Sequence, residues 1–144
     1  MKKYFIILFV ASFLVINPAR ASSLFGNGDL EISQKLYDYI INYLGSGIKN
    51  KNEGAKSRGR GTYLAISTTT DWAASSYCPY STCVDDPLMA LRNCRKGAKK
   101  KTGTKQKCKL LFKGHTIKWN GNNIKVTLED DVEALLKQAG LTIK

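Results

Sequence analysis

The chain has 144 residues, 43% of them hydrophobic, with 23 lysines and arginines against 11 acids and a formal charge of +12. That length suggests one domain with a modest core. The positive surplus turns the protein away from basic partners and towards acidic ones: anionic glycans, phospholipid headgroups, nucleic acid or acidic proteins.

The first 21 residues are expected to be a targeting segment. Lys2 and Lys3 precede an apolar run from Tyr4 to Ile16, and Ala19, Arg20 and Ala21 fit the small-x-small cleavage rule. The run is too short for a comfortable membrane span, an uncleaved anchor being the alternative. Cleavage before Ser22 would remove Lys2, Lys3 and Arg20 but no acid, taking the charge from +12 to +9. The expected location is periplasmic or secreted, with no transmembrane segment after cleavage. Four cysteines follow, at 78, 83, 94 and 108. An exported chain with an even cysteine count suggests two disulfides, for which three pairings exist. The spacing lacks the paired C-x-x-C knuckles of common zinc ribbons, so no metal is expected.

Along the mature chain, Asp29 is a candidate N-cap for a helix from Leu30 to Leu44, ended by Gly45. Ile32, Leu36, Tyr39, Ile40 and Tyr43 share its apolar face. Gly45 to Gly61 then reads as a basic, glycine-rich linker with Lys49, Lys51, Lys56, Arg58 and Arg60. Thr62 to Thr69 reads as a strand and 70–85 as a loop. Asp86-Pro87 is a strong helix start, with Leu88, Leu91 and Cys94 on one face and an end near Gly97. Residues 95–107 then form a cationic loop: Arg95, Lys96, Lys99, Lys100, Lys101, Lys105 and Lys107, with no acid. From Lys107 the pattern alternates, placing Cys108, Leu110 and Phe112 on one face and leaving Leu111 as an apolar exception on the other. Gly114-His115 marks a turn. Ile117 and Trp119 lead into Asn120-Gly121-Asn122-Asn123, and Ile124 and Val126 complete a hairpin. Thr127 is a candidate cap for a last helix bearing Val132, Leu135, Leu136 and Ala139, ended by Gly140. The expected order is helix, strand, helix, three strands, helix. It predicts an α+β fold in which a small antiparallel sheet is packed by the helix carrying Leu88, Leu91 and Cys94, with helices flanking it at the N and C termini. The organisation divides into 1–21 as signal, 22–61 as helix and linker, and 62–144 as the compact unit.

Several of these elements carry a resemblance. Tyr63-Leu64-Ala65-Ile66-Ser67, then Ala90-Leu91-x-x-Cys94, then Cys108-x-Leu110 and Thr116 to Trp119 resemble small exported proteobacterial domains of unknown function. The resemblance spans residues 62–120. It implies an α+β fold and a Cys94–Cys108 disulfide, and implies no catalytic residues. A helix-end cysteine meeting a cysteine on the strand it packs against suits the same pairing. The long lysine-rich connection and the extra Cys78 and Cys83 depart from the family's look. Those two would close a short, tight loop containing Pro79.

No catalytic constellation emerges. His115 is the single histidine and is expected as an exposed turn residue. Asp85, Asp86, Glu129, Asp130 and Asp131 stand at helix starts, where the dipole accounts for them. Cys78 to Cys83 has four intervening residues, which argues against C-x-x-C redox chemistry. No cofactor is expected. A non-enzymatic module binding an anionic envelope polymer or an acidic protein through Lys99, Lys100, Lys101, Lys105 and Lys107, with Arg95 and Lys96, is the leading expectation. Nucleic acid is disfavoured, because the basic segments lack aromatic residues for base stacking. The alternatives are a protein-interaction or inhibitor module using the 30–44 helix, and a thiol redox enzyme.

Overall fold

A computed structural model describes residues 23–49, 60–78 and 86–144. The expected signal segment, most of the basic linker and the Cys78–Cys83 pairing lie outside them. The chain runs β1 (Leu30–Ile32), α1 (Gln34–Lys49), β2 (Arg60–Ser67), β3 (Ala73–Cys78), α2 (Pro87–Thr102) and β4 (Cys108–Lys113). It continues through β5 (Thr116–Ile117), a 3-10 turn at Trp119–Gly121, β6 (Ile124–Lys125), α3 (Val132–Gln138) and β7 (Leu141–Ile143). Five strands form an antiparallel sheet in the order β3-β2-β4-β5-β6. The class is α+β, as expected.

The interior strand β2 alternates between two cores. Leu64 and Ile66 join one cluster, with Ile40, Tyr43 and Leu44 of α1, Trp119, and Val132 and Leu136 of α3. Tyr63 and Ala65 join the other, with Ala90, Leu91 and Cys94 of α2. The period-two geometry of a strand therefore puts α1 and α3 on one face of the sheet and α2 on the opposite face.

β4 follows the same rule until a bulge interrupts it. Phe112 pairs with Leu64, but Leu110 already pairs with Ala65, so Leu111 is the extra residue. Cys108 and Leu110 face α2, whereas Leu111 and Phe112 both enter the α1 core. The expected common face for Cys108, Leu110 and Phe112 is thus corrected, and the apolar Leu111 is explained. One inserted residue reverses the facing of all that follows.

Other corrections concern boundaries. Leu30–Ile32 is a strand, not a first helical turn, and pairs in parallel with Leu141–Ile143. Ser33, not Asp29, caps α1: its hydroxyl accepts from the Leu36 N–H at 3.3 Å. Gly45 lies within α1. β3 occupies part of the expected 70–85 loop, held by pairing with β2 rather than by strong strand composition. α3 is capped by Asp131, whose carboxylate accepts from the Ala134 N–H at 3.0 Å. Thr127 instead closes a turn, donating its N–H and hydroxyl to Asp130. Tyr39 is exposed, while Tyr43 is buried and donates its hydroxyl to the Gly114 carbonyl at 2.8 Å. The Tyr37 phenol is pushed up by burial, then by the negative Glu133, Asp131 and Asp38.

The segment before residue 62 and the segment after it share one core. β1 lies against β7, and Gly26 accepts the Asn120 N–H at 3.0 Å. Among the described residues, no helix is long and apolar enough to cross a membrane.

Candidate functional site: the outer face of α2

α2 begins where Asp86 accepts from the Leu88 N–H at 2.9 Å, with Pro87 in the first turn. It does not end at Gly97. Gly97 packs against Trp72, and a Cβ there would fall inside the indole ring. The glycine permits helix–sheet approach rather than termination. Ala98, Lys99, Lys100 and Lys101 are good helix formers and carry the helix onward. It stops at Gly103, whose φ of 76° suits glycine and whose N–H donates to the Lys99 carbonyl at 2.8 Å. Thr102 adds a bond from its hydroxyl to the Ala98 carbonyl at 2.9 Å.

The cationic loop is therefore largely a helix. Arg95, Lys96, Lys99, Lys100 and Lys101 ride on its second half, and only Lys105 and Lys107 stand beyond it. All seven are exposed, and none forms an ion pair among the described residues. Ala90, Leu91, Cys94 and Ala98 make the buried stripe. At 100° per residue, Arg92, Arg95, Lys96, Lys99 and Lys100 fall on the opposite side. They extend over about 12 Å of axis. Arg92, absent from the sequence-based set, joins this face, with its guanidinium 3.1 Å from Asp86. The negative end of the helix dipole accounts for Lys99, Lys100 and Lys101 but not for bases two turns upstream. No acid occurs between Pro87 and Leu128 in the sequence, whereas Glu129, Asp130, Asp131 and Glu133 gather at α3, across the sheet. An acid cluster thus lies across the sheet from the basic row, although Asp86 caps α2 itself and Lys137 stands in the last turn of α3.

Leu88 departs from expectation: it is 49% exposed, and Met89 is 47% exposed. Both lie on the outer side of α2, at its N-terminal end. Beside the helix runs a shallow groove of about 220 Å3, between Leu24, Leu91 and Cys108 with Arg95, Gln106 and Lys107 at its rim. Lys109 also lines it and donates to the Ser23 carbonyl at 2.7 Å.

Cys94 and Cys108 form a disulfide with Cα atoms 6.2 Å apart. Both are buried, which shields the sulfurs from an external thiolate. The bond ties the middle of α2 to the start of β4, so the basic face is held in one orientation. His115 is half-buried rather than exposed, its ring packed edge-on against Tyr43. Among the described residues, no group of three or more His, Cys, Asp or Glu side chains converges as metal ligands. A second hollow of about 230 Å3 lies between β1 with the start of α1 and the β2–β3 turn, lined there by Ser67, Thr68, Thr69 and Thr70. Its single cation, Lys144, already pairs with Glu31 at 3.0 Å.

Comparison of the chain with models of protein families, with curated proteins and with solved structures found no match.

Proposed function

We propose that this protein is an exported, non-enzymatic binding module that engages an anionic component of the bacterial envelope through the outer face of α2. The observation that carries the reading is the row of exposed bases, Arg95, Lys96, Lys99 and Lys100, without an ion pair among the described residues and displayed on a helix tied to the sheet by the Cys94–Cys108 disulfide. A helix presents such charges at fixed spacing, so less side-chain and backbone freedom is lost on binding than from a loop. Lys101, Lys105 and Lys107 extend the positive field past Gly103. The cluster of Glu129, Asp130 and Asp131 across the sheet favours turning the α2 side towards an anionic surface. The buried disulfide suits an oxidising compartment, in line with the expected signal segment and the resemblance to exported proteobacterial domains. An interaction role for the 30–44 helix is less well supported, because Leu36, Ile40, Tyr43 and Leu44 are occupied by the protein's own core.

The test is R95Q/K96Q/K99Q/K100Q. All four side chains are exposed, so the variant is expected to keep its unfolding midpoint while losing retention on anionic envelope material. Retention of the unaltered protein is expected to fall steeply with added salt. Unchanged retention of the variant would refute the assignment.

A further inference from the structure

The bases of α2 share their face with two large apolar side chains. Leu88 and Met89 are each about half exposed, at 49% and 47%, in the first turn of the helix. At 100° per residue they lie on either side of Arg92 and continue the rows that run through Arg95, Lys96, Lys99 and Lys100. Leu24, 41% exposed, lies in the groove beside Arg95. Three of the five exposed large hydrophobic residues among the described residues therefore border one basic surface. A purely ionic contact with a soluble polyanion gains nothing from them. A bilayer interface takes both: headgroup phosphates meet the cations, and apolar side chains enter the headgroup–acyl boundary.

Resting on the reading above, we infer that the anionic component is phospholipid, and that α2 lies along the membrane surface with Leu88 and Met89 inserted at its N-terminal end. No span is involved. The protein docks as a folded unit, with the acids of α3 turned away from the bilayer.

Two variants of the purified mature chain, beginning at Ser22, separate this inference from the reading on which it rests. They are L88Q/M89Q and R95Q/K96Q/K99Q/K100Q. Each is measured for partitioning onto vesicles of equimolar phosphatidylglycerol and phosphatidylcholine, and for elution from a heparin column as a lipid-free polyanion. L88Q/M89Q is expected to lose roughly tenfold in vesicle partitioning, because two partly exposed side chains no longer leave water, and to elute from heparin at the same salt as the unaltered protein. The basic-face variant is expected to lose both, with vesicle binding falling roughly fivefold per charge removed. Equal vesicle binding by L88Q/M89Q and the unaltered protein, or no vesicle binding by the unaltered protein, overturns the lipid assignment and leaves the anion-binding reading standing. A basic-face variant unchanged in both measurements overturns the two together. Circular dichroism and an intact Cys94–Cys108 bond establish that each variant is folded.

Discussion

Asn120 is the one non-glycine among the described residues with positive φ, at 55°, and its side chain accounts for the position. Its Oδ1 accepts from the Gly28 N–H at 2.6 Å, and its Nδ2 donates to the Ala139 carbonyl at 2.8 Å. It therefore bridges the N-terminal segment and the end of α3. Trp119 beside it donates its indole N–H to the Gly28 carbonyl at 2.7 Å, and Gly26 lies so close that a Cβ would enter the ring. Asn120→Ala removes these side-chain bonds and places alanine in the left-handed region, a loss of about 2 kcal/mol by denaturant titration. Asn120→Gly loses the bonds but not the backbone fit and is expected to fall between. Equal stability of the two variants would show that backbone conformation contributes nothing there. The Asn-Gly pair marked a turn in the sequence; nothing in its spacing pointed to Gly28 or Ala139, both remote along the chain.

At the scale of the element, α2 decides the character of the candidate site. The sequence reading ended it near Gly97, but the helix runs on to Gly103. Gly97 is a contact with Trp72, and Gly103 is the terminator, so the distinction rests on what packs against each. Gly97→Ala gains about 1 kcal/mol of helix propensity but forces the Trp72 indole to move, for a net loss of roughly 1–2 kcal/mol. In a Trp72→Ala background the same substitution is expected to be neutral or stabilising. A loss that persists there would assign the glycine's role to something other than the indole. The β4 bulge teaches a similar lesson. Alternation was legible from Cys108 to Leu110, but the phase change at Leu111 depends on pairing with Leu64 and Ala65. The seven bases were legible as a charge run, whereas their common face, and the membership of Arg92, required the helix to continue past Gly97.

For the molecule as a whole, the disulfide joins residues 14 apart and binds the α2 layer to the sheet. Replacing Cys94 and Cys108 together by alanine is expected to lower stability by about 3 kcal/mol, the chain-entropy estimate for a loop of this length. The measurement is equilibrium unfolding in urea, where a change much below 1 kcal/mol would show that the layers hold without the bond. The same tie keeps the basic face opposite the acids at the start of α3. The placement of the basic row and the acid cluster on opposite sides of the sheet is thus a property of the three-layer arrangement rather than of any one helix.

By itself the sequence determined the α+β class, the strong start of α2 at Asp86-Pro87, the turn at Gly114-His115, the hairpin around Asn120-Gly121 and the stretch of uncompensated bases. Each is written in local periodicity, in capping chemistry or in turn chemistry, over a few neighbouring residues. Only the tertiary structure decided that Leu30–Ile32 is a strand beside Leu141–Ile143, that β4 changes phase at Leu111, and that Leu88 and Met89 stay exposed beside the basic row. Those outcomes depend on which surfaces remain uncovered when distant segments pack, and that information is not carried by any short window of the chain.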